Sequence, residues 1–232
     1  LAPEHPEVWN NAAGILFALG RFDEAERFAR KTVKLAPRIP QGHLALAEIL
    51  WAKADMSGVR DACNAVLSLE PNNAEAISRR AMGDAALGDA PGARQGLERA
   101  LSIAPQLVPA RLALVDLLVD AGELAEANGV LEPALGQSEN DAEVAYRLGS
   151  LRHAQERYLE AVSPLQRVVD AIPEHWGAQM KLAWVEASTG DLDAGLRRLE
   201  NVGAASASAD PFVMMAQLEA MYGRTSLAQS HF

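Results

Sequence analysis

The side chains that most often bind metals or act as nucleophiles are few in this sequence, and their spacing fits neither role. The chain has one cysteine and five histidines, which are Cys63, His5, His43, His153, His175 and His231. Metal and nucleophile sites need such groups at characteristic spacings, as in His-Glu-x-x-His or Gly-x-Ser-x-Gly, and neither motif occurs. We therefore predict no catalytic residue, no metal site and no cofactor.

Carboxylates are the remaining candidates for acid–base chemistry, and their arrangement indicates surface positions instead. Asp and Glu total 31 against 21 Lys and Arg, which gives a net charge of −10. Several follow a turn, as Asp23 and Glu24 do, where a carboxylate complements the dipole of a helix that begins there. Because so acidic a surface repels phosphate, we predict no nucleic-acid binding.

Composition also limits the class of protein. Apolar residues make up 49% of the chain, which is enough for a folded core. No run of about 18 apolar residues occurs, so we predict no membrane insertion. The sequence does not indicate a compartment.

The elements that must position any site recur with a period of 34 residues. Pro3, Pro37, Pro71 and Pro105 follow one another at that interval, and Pro173 lies two intervals further on. Small residues form two parallel series, which are Gly20, Gly88, Gly122 and Gly190, and Ala25, Ala93, Ala127 and Ala161. A fixed period of this length is the signature of a repeat architecture.

Each repeat is predicted to be a pair of amphipathic helices. In the first repeat, apolar residues between Trp9 and Leu35 recur at steps of three and four, which is helical spacing and not strand spacing. Gly20 lies where the end of a helix needs a left-handed residue, and Pro37 cannot continue the second helix. The sequence therefore predicts an all-α chain.

These residues resemble the tetratricopeptide repeat family. In the first repeat, positions four, fifteen, seventeen, twenty and thirty-two hold the residues typical of that family, which are Trp9, Gly20, Phe22, Ala25 and Pro37. The resemblance covers the whole chain and implies a right-handed α-solenoid. It implies one array over residues 1–232, with repeats near 6–39, 40–73, 74–107, 108–141, 142–175 and 176–208 and an incomplete repeat at 209–232.

Parts of the chain depart from the family pattern. Repeat 4 has no closing proline and ends in Gly136-Gln137-Ser138, and the second helix of repeat 6 is predicted to be short and to fray over residues 203–208. Residues 1–5 resemble the tail of a preceding repeat, and the last residues stop within a helix. We infer from both ends that the chain is a fragment of a longer protein.

The resemblance implies that the first helix of each repeat lines a concave groove. Positions two, five, six, nine and twelve would point inward, and we call these the inner positions. The predicted groove residues are Asn10, Phe17, Leu44, Glu48, Trp51, Arg79, Met82, Leu112, Asp116, Tyr146, Arg147, His153, Met180, Lys181 and Trp184. Phe17 and Trp51 are the predicted apolar anchors for a partner; the alternative is that the packing of the array itself covers them.

Charged inner positions leave two interpretations open. The acids at position two, which are Glu7, Glu75, Glu143 and Asp210, either meet a basic partner or serve as first-turn acids. The row at position six, which is Arg79, Arg147 and Lys181, either meets an acidic partner or is solvated surface. Co-chaperone members of the family clamp the C-terminal carboxylate of a heat-shock protein, but only Arg79 fits that pattern, so this ligand is not predicted.

Position eleven is normally apolar in the family and carries charge in several repeats here. Arg80 and Asp84 are four residues apart on one helix, so they are predicted to pair. Arg152 and Glu186 occupy equivalent positions of adjacent repeats, and we predict an ion pair between those repeats.

The predicted function is that of a non-catalytic scaffold that holds a peptide or helix of a partner protein in its groove. One alternative is a substrate-recruitment arm of a larger enzyme, of glycosyl- or sulfotransferase type, or of an envelope polysaccharide-export assembly. Another is self-association, with terminal helices stacking end to end.

Overall fold

The structure is a computed structural model that describes residues 5–135, 141–206 and 208–223. Over these ranges the chain forms thirteen α-helices and no strand, so the prediction of an all-α protein is confirmed. The helices are α1 (Pro6–Ala18), α2 (Phe22–Leu35), α3 (Pro40–Ala52), α4 (Met56–Leu69), α5 (Ala74–Ala86), α6 (Ala90–Ile103), α7 (Val108–Asp120), α8 (Leu124–Leu135), α9 (Ala142–Ala154), α10 (Tyr158–Ala171), α11 (Trp176–Ser188), α12 (Leu192–Ser206) and α13 (Asp210–Met221).

The helices are arranged in two compact units, residues Leu1–Leu117 and Leu118–Phe232. In the N-terminal unit, α1 packs on α2, α3 on α4 and α5 on α6, and each pair packs on the next. The C-terminal unit repeats this order with α9 on α10 and α11 on α12, followed by α13. First helices of successive pairs also touch, as α1 touches α3 and α9 touches α11. The organisation as one array stays a prediction.

The turn between the two helices of a pair needs a left-handed residue. Gly20 has φ 72° and Gly190 has φ 111°, as the sequence predicts for a residue that ends a helix. Ala54 and Glu156 hold the same place in repeats 2 and 5, and each has φ 58°. These two residues therefore adopt a left-handed backbone conformation, which is energetically unfavourable for any residue except glycine.

The core depends on small residues where the paired helices approach. Ala13 of α1 and Ala25 of α2 are fully buried. In repeat 6 the approach is closer, because a Cβ on Gly195 would lie 2.4 Å from the backbone oxygen of Ala183. The recurring Ala and Gly thus bring two helices together at a distance that a larger side chain would prevent.

The prediction of a short, fraying helix in repeat 6 is wrong. Helix α12 runs through to Ser206 and is the longest of the described helices. Its alanines favour a helix, and Gly203 makes room for α13, since a Cβ there would lie 2.6 Å from the ring of Phe212. Ala207 lies outside the described residues, as do residues 136–140 and both ends of the chain, residues 1–4 and 224–232.

Of the two ion pairs predicted at position eleven, one is present. Arg80 Nε lies 3.9 Å from Asp84 Oδ2. The predicted Arg152–Glu186 pair is wrong, because Arg198 of α12 donates to both carboxylate oxygens of Glu186, at 3.0 and 2.6 Å. Position eleven of α11 therefore faces the second helix of its own pair and not the first helix of the preceding pair.

Arg152 is held elsewhere. It donates to Asn128 Oδ1 of α8 at 2.9 Å and to Gln155 Oε1 at 2.8 Å, and it lies 3.7 Å from Glu160. The side chain still links two repeats, but through an amide and not through the predicted carboxylate.

Candidate binding surface

Inner positions of the N-terminal unit border an apolar cavity of about 190 Å³. Three predicted groove residues, Trp51 of α3 and Arg79 and Met82 of α5, lie in its wall. The rest of the wall is formed by Glu75, Ser78, Leu107 and Pro109. Successive first helices thus contribute to one concavity, because side chains at steps of three and four share a helix face.

The rim of the cavity is polar and fixed. Arg79 Nη2 donates to Glu75 Oε1 at 3.1 Å, one turn earlier on α5. Arg79 Nε is buried and donates no hydrogen bond to the described residues. Ser78 is 3% exposed, and its hydroxyl lies 3.9 Å from the sulfur of Met82. The guanidinium therefore lies beside the cavity with its charge balanced by a neighbouring acid.

Two other acids of the same unit have no such partner. Glu7 and Glu48 are exposed, and neither makes an ion pair or hydrogen bond with the described part of the chain. Glu48 lies three residues before Trp51 on α3, on the same face of the helix. A free carboxylate thus lies one turn from the tryptophan that borders the cavity.

The remaining predicted residues of this unit are more enclosed. Phe17 is half-buried against Phe22, with ring centroids 5.6 Å apart, and both Phe17 and Trp51 pack on the core of this unit. Asn10, Leu44 and Asp116 are half-buried, and Leu112 is only 7% exposed. Leu112 therefore offers a partner little surface, and Phe17 does not border the cavity, whereas one side of Trp51 does.

In the C-terminal unit the aromatic residues at inner positions contact neighbouring rings. Tyr146 of α9 contacts His175, with ring centroids 4.4 Å apart and the rings tilted by 45°, and a Cβ on Gly177 would lie 2.8 Å from the Tyr146 hydroxyl. Arg147 lies over the Tyr146 ring at 5.4 Å and pairs with Glu143. The space beside Tyr146 is therefore filled by the start of α11.

A second aromatic group surrounds His153. Its ring lies 6.2 Å from that of Trp184 and 5.7 Å from that of Tyr158, centroid to centroid. Burial, together with the charge of Lys181, lowers the pKa of His153 from 6.5 to about 4. Met180 and Trp184 pack on the core cluster between α11 and α13. The imidazole is thus neutral at neutral pH and enclosed by its neighbours.

The other potentially reactive side chains have structural roles. His43 is buried and donates to the carbonyl of Pro37 at 3.0 Å, and His175 Nδ1 accepts the backbone N–H of Ala178 at the start of α11. Burial raises the pKa of the Cys63 thiol to about 11, which removes the reactive thiolate. Within the described ranges, no three His, Cys, Asp or Glu side chains are grouped as metal ligands would be. Nor does that part of the chain contain a helix with the length and apolarity needed to cross a bilayer.

Four residues of the cavity wall are missing from the predicted groove residues, namely Glu75, Ser78, Leu107 and Pro109. Glu75, Ser78 and Pro109 nevertheless lie at inner positions two and five of their repeats, whereas Leu107 directly precedes α7 and lies at no inner position. A signal for Leu107 was present, since an apolar residue directly before a helix often packs against the side chains of a neighbouring turn.

Sequence and structure comparisons give a consistent result. The tetratricopeptide repeat family matches at residues 6–39 and at residues 84–151. No curated protein is significantly similar to the chain.

Solved structures share the fold at low sequence identity. PilF of Pseudomonas aeruginosa is 15% identical with a TM-score of 0.74, and the match covers 93% of this chain and 97% of that one. A thermophilic tetratricopeptide repeat protein of Thermus thermophilus is 19% identical with a TM-score of 0.66, covering 78% of this chain and 98% of that one. YrrB, a repeat protein with an unusual peptide-binding site, is 20% identical with a TM-score of 0.54, covering 76% of this chain and 91% of that one.

Repeat proteins with this solenoid fold generally serve as scaffolds for protein–protein interaction and not as catalysts. The 34-residue period, the helix pairs with left-handed turns and the two family matches lead to one conclusion: the chain belongs to the tetratricopeptide repeat family.

Proposed function

We propose that this chain is an interaction scaffold that binds a segment of a partner protein at the inner positions of its N-terminal unit. One bulky apolar side chain of the partner would occupy the cavity bordered by Trp51, Met82 and Leu107. The observation that supports this most directly is that three predicted groove residues of two successive repeats border one apolar concavity.

The size of the cavity favours a side chain over a free small molecule. Its volume of about 190 Å³ is below the roughly 300–1,000 Å³ of typical small-molecule sites. Burying one large apolar side chain contributes about 1.5–3 kcal/mol, so a single anchor needs further contacts along the segment. Trp51 and Arg79 are of the residue types that dominate binding energy at interfaces.

Affinity capture tests the proposal with a matched pair of tryptophan variants. Wild type, Trp51→Ala and Trp176→Ala are immobilised and exposed to lysate of the source organism, after circular dichroism shows equal helicity. Trp176 is also half-buried but lies on α11 and is not among the residues that border the cavity. We expect a partner that binds wild type and Trp176→Ala and is depleted at least tenfold on Trp51→Ala.

Equal capture by all three proteins would overturn this proposal. The recruitment-arm and self-association alternatives stay predictions from the sequence. The relation to PilF is one of fold, and no described residue of this chain favours pilus assembly over other pathways.

A further inference from the structure

The acid that lies closest along the helix to the cavity-bordering tryptophan is Glu48. It lies three residues before Trp51, which is about 4.5 Å along the helix axis. The side chain is exposed, and no described residue pairs with it. A partner anchored in the cavity therefore brings its neighbouring residues within reach of an uncompensated carboxylate.

At the inner positions of α1, α3 and α5, negative charges outnumber positive ones. The ionised side chains there are Glu7, Glu48, Glu75 and Arg79. Arg79 is paired with Glu75, so two negative charges are left uncompensated. Charge complementarity with this surface requires a positively charged segment.

An acidic segment fits less well, although Arg79 borders the cavity. Its guanidinium is already bound to Glu75 at 3.1 Å, and its side chain is only 25% exposed. A carboxylate that approached Arg79 would also approach Glu75, and repulsion between the two acids would offset the new pair.

We propose that the partner of the N-terminal unit is a basic peptide segment. It would place a bulky apolar residue in the cavity and a Lys or Arg on Glu48. An extended chain advances about 3.3 Å per residue, so the basic residue would lie one to three positions from the anchor, on the side of α3. This inference rests on the proposed function, since it assigns chemistry to the partner at the same site.

Selection from a random peptide library tests whether the site prefers a basic segment, and it does so without knowledge of the natural partner. A 12-residue library displayed on phage is selected against the full chain, with wild type, Glu48→Lys, Trp51→Ala and Glu200→Lys in parallel. Glu200 is the matched control, because it is an exposed acid of α12 that no described residue pairs with. Circular dichroism verifies that all four proteins have equal helicity.

We expect wild type and Glu200→Lys to enrich one consensus, a large apolar residue with Lys or Arg one to three positions away. Glu48→Lys should exchange that base for Asp or Glu and bind the wild-type consensus peptide about tenfold more weakly. Raising the salt concentration should weaken binding of the wild-type consensus peptide to wild type more than to Glu48→Lys, since salt screens the attraction between exposed charges.

The outcomes separate this inference from the proposed function. An apolar consensus that disappears in Trp51→Ala but contains no base, or persists unchanged in Glu48→Lys, contradicts the basic partner and leaves the cavity site intact. No consensus on wild type, or the same consensus on Trp51→Ala, contradicts the cavity site and with it the basic partner.

Discussion

Aromatic side chains at inner positions behave differently in the two units. In the N-terminal unit, Trp51 packs on the core with one side and borders a cavity with the other. In the C-terminal unit, the ring of Tyr146 contacts that of His175, and His153 contacts both Trp184 and Tyr158. An aromatic residue at an inner position is therefore not by itself a free binding surface.

Whether an aromatic residue at an inner position borders open space depends on the size of the side chains in the next repeat along the chain. At positions five and nine, repeat 3 has Ser78 and Met82, whereas repeat 6 has Met180 and Trp184. Met180 and Trp184 pack on the core of their own unit, and Trp184 contacts His153. The smaller pair of repeat 3 leaves a concavity against Trp51.

Truncating the two tryptophans should give the largest contrast. Trp184→Ala removes a ring that has neighbours on α9 and in the α11–α13 core, so we expect a loss of about 3 kcal/mol in the free energy of unfolding. Trp51→Ala should cost about half as much, because one side of the ring already lacks packing contacts. Urea unfolding followed by circular dichroism measures both; equal losses would contradict the difference between the units.

The enclosure of His153 should appear as a pH dependence of stability. Its folded pKa is about 4 and its unfolded pKa is near 6.5, so between these values the unfolded chain binds the extra proton. The stabilisation is complete above pH 6.5 and is lost as the pH falls towards 4. Each pKa unit corresponds to about 1.4 kcal/mol, and partial exposure reduces the total to about 2 kcal/mol.

The variant His153→Gln isolates this contribution. Unfolding free energies of both proteins between pH 7.5 and 4 should converge with falling pH, because only wild type loses the His153 contribution. Parallel curves would mean that the imidazole is protonated in the folded protein and that this group is more open than the ring contacts indicate.

Filling the cavity beside Trp51 should make the inner face of the N-terminal unit resemble that of the C-terminal unit. Met82→Trp places in repeat 3 the residue that repeat 6 has at the same position, and the ring can occupy the space beside Trp51. Peptide affinity should fall at least tenfold, about 1.4 kcal/mol, while stability stays equal or rises. Fluorescence anisotropy with a selected peptide measures the first and thermal unfolding the second; unchanged affinity would locate binding elsewhere.

The fold could be predicted from the sequence because it depends on period and residue type. Gly20 and Pro37 alone mark one turn and the end of one helix. Contacts between repeats were less predictable, since Arg152 and Glu186 occupy equivalent positions and yet bind Asn128 and Arg198. The position in the repeat predicts the direction of a side chain. Its hydrogen-bond partner depends on which side chains of the neighbouring helices lie within reach.

The residues of the candidate site were also only partly predictable from the repeat position. Trp51, Arg79 and Met82 were predicted at inner positions and lie around one cavity, whereas Leu112, predicted by the same rule, is buried. The rule gives the face of the helix and not the volume left between faces. That volume depends on the size of several side chains at once, including Leu107 outside the repeat rule.

The smallest expected effect tests whether the backbone contributes to the contrast. Ala54 of the N-terminal unit and Glu156 of the C-terminal unit have the same φ of 58°, so glycine at either place should relieve the same strain. We expect Ala54→Gly and Glu156→Gly each to raise the free energy of unfolding by about 1 kcal/mol, offset in part by the greater entropy of the unfolded chain. The reverse change, Gly20→Ala, should be destabilising by a similar amount, although no atom lies within 4 Å of the added Cβ. Equal gains in urea unfolding would mean that the turns of both units are equally strained, so that their inner faces differ through side-chain volume and charge; a gain in one unit only would show that the turn itself contributes to the difference.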